Sequence, residues 1–366
     1  MKKILSVFGT RPEAIKMAPV IKELSRRNGI KSVVCVTAQH RGMLDQVLGI
    51  FRIKPDYDLN IMKPGQSLSY ITSMVLLEFE KVINCEKPDL VLVHGDTTTA
   101  MAAALAAYYN GIKIGHIEAG LRTYDKLSPF PEEINRQIID RIADLLFAPT
   151  VLNEHFLSKD LNLNQKIVVT GNTVIDALKT TVSDDYDCDD FAWLSDSRLI
   201  LLTAHRRENI GEPLKNIFTA INEITDKFED VKVIFPVHLN PRVRKLANDL
   251  LKSNKKVRLV EPLDVVEFHN YMNKAYLIMT DSGGIQEEAP ALSKPVLVLR
   301  EVTERPEGVD AGTLKLVGTK KNVIVKEAGV LLSNRKKYDE MAKKENPYGD
   351  GMASKRIVDA IEEYLA

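Results

Sequence analysis

Short apolar runs rich in β-branched residues recur along the chain, separated by stretches with helical spacing of their apolar positions. In the first half the runs are KILSVF (3–8), SVVCVT (32–37), DLVLVH (89–94), KIGHIE (113–118), LLFAP (145–149) and KIVVTG (166–171). Strands that alternate with helices predict a parallel sheet covered on both faces. Helix starts are marked by Pro12 after Arg11 and by Pro131-Glu132-Glu133 at the head of EEINRQIIDRIA. After residue 180 the pattern lapses into VSDDYDCDDFAWLSDS, acidic and without period, which reads as a linker. It then restarts with LILLTA (199–204), VKVIFPV (231–237), VRLV (257–260), YLIMTD (276–281), PVLVLR (295–300) and LKLVG (314–318). The prediction is an α/β chain of two doubly wound Rossmann-like domains, 1–180 and 181–351. The amphipathic ASKRIVDAIEEYLA that follows forms a last helix able to close either domain.

Length agrees with two domains, because 366 residues exceed what one hydrophobic core usually supports. Lys plus Arg and Asp plus Glu both number 50, so the overall charge points to neither nucleic acid nor an anionic membrane, and any anion site must be local. Cys35, Cys85 and Cys188 are far apart without CxxC spacing, which excludes a disulfide scaffold and a zinc ribbon. The apolar run at the N-terminus is only about six residues long and ends in Gly-Thr-Arg-Pro, so it reads as a strand and not as a signal peptide. No stretch reaches the roughly 18 apolar residues of a membrane helix. A soluble, cytoplasmic protein is expected.

Open α/β domains bind ligands beyond the carboxyl ends of their strands, so the loops after each strand hold the candidates. TDSGGIQEEAP places Ser282, Gly283 and Gly284 between a strand and a helix, with Glu287 and Glu288 expected in that helix's first turn. Backbone N–H groups there suit a diphosphate and an early Glu suits ribose hydroxyls, although a plain turn with acids complementing the helix dipole explains the segment equally well. No GxGxxG occurs, so no nicotinamide cofactor is expected. Arg11 ends the first strand, Lys16 lies a turn into the next helix, and Arg305 sits in TERPEG. Such a set suits a diphosphate, and solvated helix-end charges are the plainer alternative. Asp96 in GDTTTA stands before a helix, where capping competes with catalysis. Glu118 ends its strand, and Glu132 shares a helix face with Arg136. Three carboxylates at such ends exceed the needs of capping and suggest acid–base work. His205, Arg206 and Arg207 follow one strand of the second domain, and His238 and Arg242 the next, where phosphate binding is the natural use. No His and carboxylate share ligand spacing on one element, so no metal is expected.

Taken in order, GTRPEAIKMAPVI, TAQHRGMLDQVL, HGDTTTAMAAALAA, GHIEAGLRT, PFPEEINRQ, GNTVIDAL, LLTAHRREN, PVHLNPRVR, TDSGGIQEEAP, RPEGVDAGTLKLVG and NPYGDGMAS cover nearly the whole chain. In them the chain resembles the non-hydrolysing UDP-N-acetylglucosamine 2-epimerases. That resemblance implies two Rossmann-like domains facing across a cleft in the GT-B manner. It also implies a C-terminal helix, about 352–366, packed back on the first domain. It places UDP against Arg11, His205, Phe268, Ser282, Gly283, Gly284, Glu288 and Arg305, with Phe268 meeting the uracil and Lys16 near the sugar or phosphates. Asp96, Glu118 and Glu132 match the catalytic positions, joined by His205, and Arg136 stands with the substrate-binding set. The implied reaction converts UDP-N-acetylglucosamine to UDP-N-acetylmannosamine by eliminating UDP to 2-acetamidoglucal and adding it back, with no cofactor. A second UDP-N-acetylglucosamine, an activator, would meet Gln39, Glu132, Arg206 and His238, while Gly42 and Gly65 stand where some members carry longer polar side chains. Leu263 replaces a Gln found near the nucleotide in one branch. Homodimerisation through the first domain is implied as well.

A GT-B glycosyltransferase using a UDP-sugar shares the fold and the diphosphate clamp, but it does not need three carboxylates beside C2. A silent UDP-sugar sensor would have lost one of Asp96, Glu118 and Glu132. A hydrolysing epimerase is normally fused to a kinase domain, for which this chain has no length.

Overall fold

Apolar side chains on both faces turn the expected runs into strands of covered parallel sheets. In the computed structural model, which describes residues 1–37, 41–61, 63, 65–160 and 165–366, β1 (Lys2–Phe8) is buried from Ile4 onward. The chain divides into two compact units, residues 1–179 with 348–366, and residues 180–347.

In the first unit β1 is joined by β2 (Ile30–Val36), β3 (Tyr57–Asp58), β4 (Leu90–His94), β5 (Lys113–Ile117), β6 (Leu145–Ala148) and β7 (Lys166–Val169). Their spatial order is β3-β2-β1-β4-β5-β6-β7, all parallel. The order reverses between β1 and β4, the point at which open α/β sheets bind ligands. Helix Thr98–Tyr109 buries Ala100, Ala102, Ala103, Ala104, Ala106 and Ala107. These small side chains let it pack between helices Leu68–Glu86 and Glu132–Ile142. Helix Arg11–Arg26 starts at a capping box in which Thr10 accepts from the Glu13 N–H and the Glu13 carboxylate accepts from the Thr10 N–H. The chain re-enters this unit at Tyr348, whose carbonyl accepts from Asn172 N–H at 2.7 Å. Helix Ala353–Leu365 then packs on helix Arg11–Arg26, with Arg27 paired to Asp359 at 2.7 Å and Glu362 at 3.0 Å.

In the second unit β8 (Arg198–Thr203), β9 (Val231–Pro236), β10 (Val257–Val260), β11 (Leu277–Thr280), β12 (Val296–Val298) and β13 (Leu314–Leu316) lie in the order β10-β9-β8-β11-β12-β13. The reversal here falls between β8 and β11. Ile200, Leu202, Val233, Phe235 and Met279 form the core with Phe218, Ile221 and Ile324. The acidic segment read as a linker is a correction: it belongs to this unit and contains helix Asp189–Leu194. Asp190 pairs with Arg258 at 2.5 Å and accepts from the Tyr271 hydroxyl at 2.6 Å, so its charge is locally matched. Trp193 lies under both Lys232 and Arg258, 4.9 and 4.8 Å from its ring centre. Among the described residues no helix is long and apolar enough to cross a membrane.

Candidate active site

Glu118 leaves β5 with φ +66°, a left-handed conformation that costs a non-glycine residue energy and marks functional turns. Gly120 sustains the same turn, since a Cβ there would meet Asn153 O at 2.5 Å. The turn holds the Glu118 carboxylate against the Lys16 ammonium, and Asn172 Nδ2 donates to Oε2 at 2.9 Å. His94, at the end of β4, lies with Nε2 4.0 Å from the same oxygen. Both ring nitrogens of His94 are buried without a hydrogen-bond partner among the described residues. Burial pushes this imidazole down to about 3, so it is neutral beside Glu118.

Asp96 lies one loop away. The cap of helix Thr98–Tyr109 is Thr97, which frees Asp96 from the capping role that the sequence left open. Arg136 grips Asp96 Oδ2 through Nε at 3.1 Å and Nη2 at 2.5 Å, and Asn135 Nδ2 donates to the Asp96 carbonyl at 2.8 Å. Burial is the main cause that raises the Asp96 carboxyl above its usual value; Arg136 opposes it and the Glu118 charge adds to it. Sharing a helix face with Glu132 does not bring Arg136 into an ion pair with it. Arg136 turns to Asp96 and to buried Glu133, 3.2 Å away, while Glu132 has no ion-pair partner among the described residues. Glu133 was not singled out in the sequence, yet it accepts from the N–H groups of Thr123 and Tyr124 at 3.0 Å each and so ties the Glu118 loop to helix Glu132–Ile142. Arg11, partly exposed at the start of its helix, makes no ion pair with a described residue.

In the second unit His205 follows β8, and its ring stacks on His238 with centroids 5.2 Å apart and planes 9° from parallel. Arg206 reaches Glu304 at 3.5 Å, whereas Arg207 and Arg242 are exposed. The loop after β11 departs from expectation. Helix Gly283–Glu288 has only six residues, so Glu287 and Glu288 end it and cannot serve its first turn. Glu287 instead binds the Arg305 guanidinium. Glu288 faces His269 Nε2 at 3.5 Å, and His269 Nδ1 is 2.6 Å from the Thr181 hydroxyl. Phe268, half-buried, precedes His269 on helix Val265–Lys274. Neither Gly283 nor Gly284 has a positive φ, and a Cβ on either would meet only side-chain atoms at 3.6 Å or more. Ser282 precedes them with its N–H bonded to Thr280 Oγ1 at 2.9 Å. Gln39 lies outside the described residues. The structure thus groups Lys16, Asp96, Glu118 and Arg136 in the first unit, and His205, Arg206, His238 and Ser282 in the second.

These features define a two-unit Rossmann-type α/β protein, with carboxylates after the strands of one unit and histidine and arginine after those of the other. Its family is shown by comparison. A sequence model of UDP-N-acetylglucosamine 2-epimerase matches residues 22–362. The UDP-N-acetylglucosamine 2-epimerase of Bacillus subtilis strain 168 is 56% identical over 359 residues, 98% of this chain and 94% of that protein. A crystal structure of a UDP-N-acetylglucosamine 2-epimerase superposes with a TM-score of 0.93 at 54% identity, covering 100% of this chain and 97% of the other. The Neisseria meningitidis UDP-GlcNAc 2-epimerase, solved with UDP-GlcNAc bound, gives a TM-score of 0.88 at 51% identity, covering 99% and 100%. The chain belongs to the UDP-N-acetylglucosamine 2-epimerase family, a family of isomerases, and its fold class is the GT-B-like one of these structures.

Proposed function

We propose that this protein interconverts UDP-N-acetylglucosamine and UDP-N-acetylmannosamine by inverting C2, through elimination of UDP to 2-acetamidoglucal and re-addition. The observation that carries this reading is the pair Asp96 and Glu118, at the ends of adjacent strands and in different electrostatic settings. Inversion at an unactivated carbon needs a base on one face and an acid on the other. Two carboxylates in different surroundings meet that need: Glu118 is held beside the Lys16 ammonium, and Asp96 is raised by burial.

In the forward direction the base takes the C2 proton, C1 and C2 form a double bond, and the C1–O pair leaves with UDP. The reverse adds UDP back at C1 while an acid protonates C2 from the other face. No net redox change occurs, so no nicotinamide is called for. On this reading the first domain carries Asp96, Glu118 and Glu132, with Lys16 and Arg136 on the substrate side. The second domain holds UDP through His205, Phe268, Ser282, Gly283, Gly284, Glu288 and Arg305, joined by Arg11 of the first. Charge gathering on the departing diphosphate is met by His205 and the arginines, a form of stabilisation that commonly supplies the largest share of barrier lowering. The Neisseria meningitidis relative with UDP-GlcNAc bound supports the substrate. Arg206 and His238, with Gln39, are the positions assigned to a second, activating nucleotide sugar.

The test is to incubate the pure protein with UDP-N-acetylglucosamine in D2O and follow the C1 and C2 protons by NMR. Both sugars should appear with deuterium at C2. Product that keeps its original C2 hydrogen would overturn the elimination route. The protein is further proposed to be a cytoplasmic homodimer associating through its first domain, and light scattering should give about twice the 41.0 kDa chain mass. A monomer at micromolar concentration would refute this.

A further inference from the structure

The loop that presents His205 is built around a buried acid that the proposed nucleotide contacts do not include. Asp281 directly follows β11, is fully buried, and bonds through its N–H to Thr203 O of neighbouring β8. It therefore sits at the strand-order reversal of the second sheet. Its Oδ2 accepts three hydrogen bonds: from the N–H groups of His205 and Arg206, both at 2.8 Å, and from Asn209 Nδ2 at 3.0 Å. Its Oδ1 has no hydrogen-bond partner among the described residues, a costly state for a buried carboxylate oxygen. Facing that oxygen at 3.4 Å is His205 Nδ1.

We propose that Asp281 is the positioning residue of His205: it holds the Nδ1–H tautomer in the free protein and pairs with the imidazolium that forms when Nε2 takes up a proton against a bound diphosphate. The inference rests on the reading that His205 faces the diphosphate of the UDP-sugar. In the Nδ1–H form Nε2 is an acceptor and cannot hold a phosphate oxygen. A second proton makes it a donor. The groups around the ring set when that proton arrives. Burial has the largest influence and lowers the imidazole below its ordinary value. Asp281 and Glu208 favour the charged form, while stacked His238 and adjacent Arg206 oppose it. The free ring is therefore neutral at pH 7.5, and a diphosphate at Nε2 supplies the opposite charge that reverses the balance. The proton comes from solvent on binding and returns on release. While it is held, it lies between the leaving group and Asp281, a carboxylate–imidazole–oxyanion array in which the carboxylate orients the ring.

Two measurements test this. In the wild-type protein, ¹⁵N NMR of the His205 ring should show hydrogen on Nδ1 alone in the free state and on both nitrogens with UDP-N-acetylglucosamine bound. Calorimetry in buffers of differing ionisation enthalpy should show uptake approaching one proton per nucleotide sugar at pH 7.5. This ligand is chosen because its diphosphate has no proton to gain in that range. In Asp281→Asn the amide oxygen can keep the three Oδ2 bonds while the NH2 donates to Nδ1, so the loop is retained and the ring is locked as Nε2–H. Proton uptake should vanish, and kcat should fall roughly 10²–10³-fold, the usual scale for a misplaced acid–base group. An Nε2–H tautomer in the free wild-type protein overturns the proposal, as does Asp281→Asn with unchanged proton uptake. Failure of the wild-type protein to bind or epimerise UDP-N-acetylglucosamine would instead remove the proposed function, and the tautomer of the free protein would still decide whether Asp281 pairs with Nδ1.

Discussion

Glu118→Gln should lower kcat by about 10³-fold or more while leaving the fold intact, since general acid–base groups contribute on that scale. The amide preserves shape and can accept from Asn172, but it can neither take nor give the C2 proton. It also leaves the Lys16 ammonium without its partner carboxylate in a largely covered setting. These two consequences are separable. If Glu118 served only to place Lys16, Lys16→Met would slow the enzyme as much as Glu118→Gln, and the double variant would be no slower than either. If Glu118 handles the proton, Lys16→Met still exchanges the C2 hydrogen while Glu118→Gln does not. Loss of C2 deuterium incorporation in parallel with loss of product is the accompanying expectation, because exchange and inversion share one proton transfer. A Glu118→Gln enzyme retaining a tenth of wild-type kcat would remove this carboxylate from the chemistry. The companion Asp96→Asn distinguishes the two roles through pH. Asp96 is raised by burial, so in the wild type it loses its proton at higher pH than an ordinary Asp. If it is the base, activity falls as pH drops through that value; if it is the acid, activity falls as pH rises through it. Asparagine abolishes whichever limb belongs to Asp96.

Strand positions could be read from the chain because parallel strands buried on both faces must be continuous apolar runs. β3 escaped because its two residues carry no period, and only its pairing to Cys35 and Val36 defines it. The acidic segment after residue 180 reads as a linker because charge runs look alike whether solvated or paired. Its partners Arg258 and Tyr271 lie some seventy to eighty residues downstream, beyond any local pattern. The start of helix Arg11–Arg26 was legible from Pro12, but the capping box of Thr10 and Glu13 and the bond from Thr97 to Glu13 at 2.6 Å, across 84 residues, were not. The same distinction runs through the candidate site. Asp96, Glu118 and His205 stand at strand ends and announce themselves by position. Glu133 does not, and Asp281, although it follows β11 directly, shows its role only through the backbone N–H groups it gathers from another loop, as Glu133 does. Glu132 and Glu133 are adjacent in sequence, and helix phase alone decides that Glu133 and Arg136 point inward while Glu132 stays partly exposed. Polar residues on that inward face break the expected hydrophobic stripe, as they do where a helix borders a site and not a core.

Asp140, on the same inward face, should be the most stability-critical polar residue of the first unit. Its Oδ1 lies 2.6 Å from His116 Nδ1, and its Oδ2 accepts from Arg122 Nη1 at 2.6 Å and from Gly120 N–H at 3.3 Å. His116 reaches on through Nε2 to the Gly95 carbonyl at 2.8 Å, and Arg122 to Asp160 at 2.7 Å. One buried carboxylate thereby joins the loop that carries Asp96 to the loop that carries Glu118. Removing one member of such a buried ionic cluster leaves the others uncompensated, at a cost of about 3–5 kcal/mol. Asp140→Asn should therefore lower the melting temperature by roughly 5–10 °C. The pH dependence fixes the cause. Burial is the largest influence on Asp140 and would raise its carboxyl, but His116 and Arg122 together overcome it and hold the group below its ordinary value. A carboxyl depressed in the folded state adds stability above its unfolded pKa, near 3.9, and loses that contribution as pH falls toward the folded value. The gap between wild type and Asp140→Asn should thus be full at pH 7 and close progressively below about pH 4. A variant within 1 °C of wild type at pH 7, or a gap that does not close in acid, would show that the cluster bears no such load. At temperatures where the variant is still folded, both loops lose a common anchor. Activity should then fall by about tenfold with little change in KM, because misplacing the carboxylates weakens the proposed proton transfers more than the nucleotide binding proposed for the other domain.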